Sequence, residues 1–239
     1  MENRWKEIWN RRKIIRSADE LSGDEFQIYR ELKRLDGFDV SVEEEEKYYS
    51  SFYRAAVKLF EDIKKQNNIE SVYEVGCGSG ADLYLLQNRR ILIEGIDYSE
   101  QLTSFARQLL GEDKIHTGEA IEISTDKKFD MVLCDSVFAY FSEETYGEKV
   151  LEKMYDKANK VVVVLEVFDK ELETECNEHR RSMIADYDEK YEGLNKIFYP
   201  QSMFVNFAKK HHCKVEFTSV ENDFYWNSRY QYNCFIYKE

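Results

Sequence analysis

The stretch Ser71-Val72-Tyr73-Glu74-Val75-Gly76-Cys77-Gly78-Ser79-Gly80-Ala81 constrains the fold more than any other part of the chain. It is a short apolar strand that runs into a glycine-rich turn and opens a helix. Gly76 and Gly78 let the backbone turn sharply and approach a ligand, and the helix behind them offers unpaired N–H groups.

Two ligand classes compete for such a turn. Gly76, Gly78 and Ala81 match the G-x-G-x-x-G/A spacing that holds a dinucleotide pyrophosphate. Glu74, two residues before the first glycine, argues against that ligand. A carboxylate there repels a pyrophosphate but suits a molecule carrying an ammonium and a sulfonium. A second apolar strand, Ile91–Ile96, ends in Asp97, 19 residues beyond Gly78. An acid at about that distance is placed to accept both ribose hydroxyls. Tyr98 follows, either against an adenine or as a surface tyrosine.

These residues carry a family resemblance. Glu74-x-Gly76-x-Gly78-x-Gly80 resembles motif I of class I S-adenosylmethionine-dependent methyltransferases, and Asp97 resembles their motif II acid. His116-Thr117-Gly118-Glu119-Ala120 resembles the segment in which an acid meets the adenine amino group, although many relatives carry Asp where Glu119 stands. Phe129–Phe138 resembles the fourth strand and the loop lining the methionine end. The resemblance spans about 71–169 and fades beyond. It implies S-adenosylmethionine as cofactor, held by Glu74, Gly76, Cys77, Gly78, Asp97, Tyr98, Glu119, Ala120 and Asp135. Asp135 is also the candidate catalytic residue, because it falls near the methyl end.

The rest of the chain is consistent with this fold. Strands are predicted at 71–75, 91–96, 114–117, 129–135, 160–167, 213–219 and 231–238, with helices near 80–87, 99–110, 143–158 and 201–211. Ser142 is the expected cap of the third helix. Alternating strands and helices imply an α/β, doubly wound, mostly parallel seven-stranded sheet covered on both faces. The last two strands fit an antiparallel hairpin. Residues 1–66 read as a helical N-terminal extension or lid. Its apolar stripes are Trp5, Ile8, Trp9 and Ile15, then Phe26 to Leu35 after Asp24, then Tyr49 to Ile63 after the acidic run Glu43–Glu46. Residues 67–239 form the Rossmann-like domain. An insertion at 170–199, with its own stripe Met183, Ile184, Tyr187 and Tyr191, is expected over the carboxyl ends of the strands. In this family such extensions and insertions often close over the acceptor.

Charge and composition narrow the acceptor. With 34 Lys and Arg against 47 Asp and Glu, the net charge is −13, which disfavours a phosphate backbone that must be neutralised by basic side chains. The single proline, Pro200, leaves no D/N-P-P-Y/F motif after the fourth strand and no Pro-Cys nucleophile, so base-directed subclasses are disfavoured. The expected acceptor is a small polar molecule such as a sugar or nucleotide-linked sugar. A nucleic-acid or protein methyltransferase and a non-catalytic S-adenosylmethionine-binding protein are the competing readings.

Five scattered cysteines form no C-x-x-C pair, and no His/Asp/Glu cluster has metal spacing, so no metal is expected. No apolar run suits a membrane span, and the opening residues lack a signal-peptide core, so a cytoplasmic protein is expected. Other candidates are open. Glu166 and Asp169 either face the cleft or cap the next helix. His179, Arg180 and Arg181 either meet an anionic acceptor or form a solvated basic face. His211 and His212, being adjacent, make a poor metal pair. The tyrosines at 48, 49 and 53 and the aromatics Tyr225, Trp226, Tyr230 and Tyr232 serve either core or acceptor.

Overall fold

The computed structural model describes residues 4–11, 14, 17–37, 44–222 and 224–238. Ile15 and Glu43, which the sequence places in helical stripes or starts, lie outside these residues. The strands are β1 (Ser71–Val75), β2 (Leu92–Asp97), β3 (Ile115–Thr117), β4 (Phe129–Asp135), β5 (Ala158–Phe168), β6 (Lys214–Ser219) and β7 (Gln231–Tyr237). They form one sheet in the order β3-β2-β1-β4-β5-β7-β6. β1 pairs parallel with β2 and with β4, so the connections leave β1 in opposite directions there. That divergence opens the crevice where doubly wound sheets bind ligands. β7 runs antiparallel to both β5 and β6. The doubly wound sheet with an antiparallel last hairpin is the fold expected from the sequence.

Side-chain alternation decides which face each strand residue serves. Along β5, Val161, Val163 and Leu165 enter one hydrophobic core, and Val162 and Val164 enter the other. The first core is covered by α2 (Glu25–Leu35), α3 (Glu45–Asn67), α4 (Ala81–Asn88) and α5 (Glu100–Leu110). The second is covered by α6 (Glu144–Lys157) and α9 (Gln201–Lys210). Asp24 starts α2 as predicted, its carboxylate accepting from the Gln27 N–H while the Gln27 side chain returns the bond. α3 buries Tyr48, Tyr49, Phe52, Phe60 and Ile63 on its inward stripe, so the N-terminal tyrosines pack as core.

Two local expectations are corrected. The residue at the start of α6 is Glu143, not Ser142, and no side chain caps it. The stripe from Met183 to Tyr191 is not one helix. α7 (Glu173–Met183) stops at Ile184, Asp186 adopts φ +56°, and a short α8 (Tyr187–Lys190) follows. Met183 points to solvent at 65% exposure. The insertion then returns to the strand ends, where the Ile197 N–H donates to the Ala139 carbonyl and the Tyr199 N–H to Phe168. It meets α1 (Arg4–Asn10) there. The Trp5 indole donates to the Asn195 carbonyl at 3.1 Å, and the rings of Trp5 and Trp9 stand edge-on to Tyr140.

Candidate active site

The turn after β1 is built largely from backbone bonds. The Gly76 and Cys77 N–H groups both donate to the Ile96 carbonyl, at 2.7 and 3.0 Å. Gly76 has φ +78° and a Cβ there would collide with Val137, so the position excludes any side chain. Gly78 has φ +50°, and its N–H donates to Asp97 Oδ2 at 3.0 Å. Asp97 Oδ1 accepts from the Ser99 N–H at 2.8 Å. Asp97 thus ties the glycine turn to the start of α5. Burial pushes its carboxyl up, against the two N–H groups that favour the charged form.

The turn floors a cavity of about 240 Å³. All nine residues expected to hold the cofactor border it: Glu74, Gly76, Cys77, Gly78, Asp97, Tyr98, Glu119, Ala120 and Asp135. They come from the ends of β1, β2 and β4 and from the turn after β3. α1 closes the side over Glu119. Lys6 pairs with that carboxylate and lies 5.7 Å from the Tyr98 ring centre. Trp9 also lines the cavity, and its carbonyl accepts from Ser99 Oγ.

The other end of the cavity is crowded with carboxyl groups. Glu74 is 3% exposed, and its Oε2 is buried without a hydrogen-bond partner. Burial, then the charges of Asp82, Asp135 and Asp36, holds Glu74 well above the ordinary carboxyl value. Asp82, in the first turn of α4, is raised by burial and by Asp135. Glu166 near the end of β5 lies behind the cavity wall, facing a second cavity that Lys33, Asp82 and Asp135 also border; it is pushed up to about 7 by burial and by Asp135, and it accepts a hydrogen bond from Ser136 Oγ. Lys33, on the inward face of α2, brings a cation into this cluster and lies 3.8 Å from Asp135. Burial opposes its charge, but Tyr29, Asp135, Asp82 and Glu166 outweigh that and hold the ammonium protonated.

Sequence reasoning missed Lys33, Asp36 and Asp82. Asp36 ends α2 and enters the cavity, where it accepts from the Ser79 N–H at 2.7 Å and from Ser79 Oγ at 2.9 Å. Burial pushes it up to about 6. A signal was present for Lys33. It stands four residues after Tyr29 and seven after Phe26, on the apolar face of an amphipathic helix, where a lysine needs a buried partner.

The open candidates separate. Glu166 faces the acidic cluster, whereas Asp169 caps the next turn by accepting from the Glu171 N–H. Arg181 is exposed and paired with Asp188, but Arg180 is 5% exposed. His179 packs its ring against Trp226 and Tyr230. Tyr230 and Tyr232 are buried as core, and the Tyr225 ring packs tilted against Phe52. Among the described residues no group of three His, Cys, Asp or Glu side chains could hold a metal ion, and the cysteines are unpaired thiols. No described helix is long and apolar enough to cross a membrane.

This site and fold define a class: a doubly wound sheet with a carboxyl-rich cavity at its switch point. Residues 72–160, the stretch that carries the glycine turn and Asp97, match the family model described as a methyltransferase domain. No curated protein matches the sequence. Among solved structures, the fold is similar to magnesium protoporphyrin IX methyltransferase (ChlM) from Synechocystis PCC 6803 with bound SAH. That pair has a TM-score of 0.64 and 14% identity, over 87% of this chain and 92% of the other. It is also similar to CalS10, an amino pentose methyltransferase from Micromonospora echinaspora, with a TM-score of 0.59 and 13% identity over 80% and 96%. The small RNA methyltransferase HEN1 aligns with a TM-score of 0.55 and 19% identity, over 76% of this chain but 25% of its own.

Proposed function

We propose that the chain methylates a small polar acceptor, such as a sugar or nucleotide-linked sugar, held between the helices of residues 1–66 and the 170–199 insertion. The observation that supports this most is the charge of the inner cavity. Glu74, Asp82, Asp135 and Glu166 gather around Lys33 in a chain of net charge −13. A polynucleotide would bring phosphates to a carboxylate-lined site. A small acceptor can place an uncharged or amine-bearing part at these carboxyls and keep any anionic group away from them.

The donor set fits the cofactor. The unpartnered Glu74 oxygen suits an ammonium, and the Gly76 cradle leaves room for close backbone approach. Asp97 is proposed to take the ribose hydroxyls, and Glu119 the adenine amino group after its ion pair with Lys6 opens. Tyr98, Cys77 and Ala120 supply the walls around them. When bound, S-adenosylmethionine supplies a methyl group on a sulfonium, activated for displacement. The chain then has to position the acceptor, exclude water and receive a proton. Asp135 is proposed as the catalytic carboxylate, with Glu166, already poised near 7, as its relay.

A labelled methyl donor tests the reading, with metabolite pools and tRNA or DNA offered as acceptors over a salt series. Transfer to a small molecule with weak salt dependence is expected. Binding to RNA or DNA that falls about 10³–10⁵-fold between 50 and 200 mM salt would overturn it.

A further inference from the structure

Three basic side chains converge where the insertion returns to the strand ends. Arg180 comes from α7 and Lys196 from the segment leading back to β5, both against the Phe168 ring, and Arg229 comes from the turn before β7, where its guanidinium lies over the Tyr230 ring and donates to the Tyr230 hydroxyl. Among the described residues none of the three lies within ion-pair distance of a carboxylate, although the chain holds 47 acidic residues. Neighbouring cations behave otherwise: Lys170 pairs with Glu173, and Arg181 with Asp188. Arg180 is 5% exposed, with a hydrogen bond to Asn227 Oδ1, and its guanidinium lies over the rings of Phe168 and Trp226. Lys196 lies against rings, its Nζ 4.6 Å from the centre of Phe168 and 5.1 Å from that of Tyr140. Burial, then the Arg180 guanidinium, pushes Lys196 down to about 7. Grouped cations without an anion are costly unless something else supplies the charge.

The location says what that something is. Tyr140 lines the cofactor cavity, and the charge of Lys196 reaches Glu166. Lys196 also borders an open groove of about 720 Å³ between the insertion and the start of α6, so a solute can reach it; the groove's lining carries Lys170 and Arg181, paired with Glu173 and Asp188, and also Glu143, Glu144 and Glu192. We propose that Lys196, with Arg180 and Arg229 behind it, is an anion subsite that binds a carboxylate or phosphate group of the methyl acceptor. The inference rests on the reading of the site as one for a small acceptor. It sharpens that reading: the anionic group is held at the insertion while the nucleophilic atom points toward Asp135 and Glu166.

Calorimetric titration of benzoate, phenyl phosphate and neutral benzyl alcohol into the full chain tests it, with and without saturating S-adenosylhomocysteine. One or both anions should saturate and the alcohol should not; which anion saturates identifies the class. Lys196→Met should weaken that anion about tenfold or more, as for a lost charged hydrogen bond, and Lys196→Arg should restore it. Arg229→Gln should weaken it less, and a melting curve on each variant separates lost binding from lost folding. The inference fails if neither anion saturates, if the alcohol binds as tightly, or if both Lys196→Met and Arg229→Gln bind the anion like the parent chain. S-adenosylhomocysteine affinity on the same samples distinguishes the two ways of failing. A parent chain that does not bind it sinks the methyltransferase reading. A parent chain that binds it, beside variants with unchanged anion binding, sinks the subsite alone.

Discussion

The two ends of the cavity at the switch point are built in different ways. At the glycine end, β1, the turn, α4 and the tip of β2 lie within about thirty residues of one another, and Gly76, Cys77, Gly78 and Asp97 are fixed by backbone hydrogen bonds. At the acidic end, side chains from α2, α4, β4 and β5 are gathered from across the fold, and several are buried with charge or valence unmet. The first end is defined by backbone geometry and by glycines whose Cβ positions are occupied. The second stores electrostatic free energy that a cationic ligand can release. Changes at the first should therefore act through fit, and changes at the second through protons.

The largest effect is expected from Gly78→Val. A β-branched side chain at φ +50° costs about 1–2 kcal/mol in backbone strain, and its Cβ would crowd the Asp36 carboxylate. Binding of S-adenosylhomocysteine should fall below detection by calorimetry while the far-UV spectrum persists. Asp97→Ala comes next. It removes the anchor of the Gly78 and Ser99 N–H groups together with the proposed ribose contacts, each worth about 1.5–3 kcal/mol to a charged partner. Affinity should drop on the order of 10²-fold, and Asp97→Asn should recover part of it. Asp97→Ala binding at parental strength would break the comparison, since the glycine end would then hold its ligand without its anchor.

The contrast also explains what could be read from the sequence. The glycine end was legible because its geometry is local: spacing alone places Gly76, Gly78 and Asp97 along one strand–turn–helix and the next strand tip. The acidic end was only half legible. Glu74, Asp135 and Glu166 stand at predicted strand ends, but Lys33 and Asp82 belong to helices whose amphipathic patterns specify burial without specifying partners, and so does Asp36, which the end of α2 delivers to the glycine turn. Register and helix packing decide that Lys33 meets Asp135, and no short-range pattern encodes it. The insertion failed for a related reason. Met183, Ile184, Tyr187 and Tyr191 keep helical spacing, yet Asp186 in the left-handed region breaks the helix and Tyr187 stacks on Tyr191 outside any core.

Protons should separate the two ends. Glu166 is raised to about 7 and Asp36 to about 6, from ordinary values of 4.5 and 3.8. Between those limits the folded chain binds more protons than the unfolded one. This contribution to stability is complete below about pH 4 and is lost as pH rises through about 7. A sulfonium favours the ionised carboxyls, so its binding should strengthen over the same interval while the neutral thioether S-adenosylhomocysteine gains less. The ratio of the two affinities, measured between about pH 5.5 and 8, should therefore rise with pH. Glu166→Gln should flatten both the stability and the affinity profiles near neutrality. A ratio independent of pH would mean that the carboxyls at the acidic end do not respond to the cofactor's charge.

The smallest effect is expected where α1 meets the glycine end. Lys6 and Glu119 are 47% and 37% exposed, and an ion pair that open to water contributes about 0–1 kcal/mol. Lys6→Ala should shift the melting temperature by no more than a degree or two, a shift that vanishes in high salt as screening removes the attraction. Its effect on S-adenosylhomocysteine binding decides what α1 does. If Glu119 serves the adenine amino group, Lys6 competes for the same carboxylate, and its removal should tighten binding slightly, by less than the tenfold that about 1.4 kcal/mol represents. Looser binding in Lys6→Ala would show that α1 contributes a contact to the cofactor itself. The glycine end would then depend on a remote helix as the acidic end does.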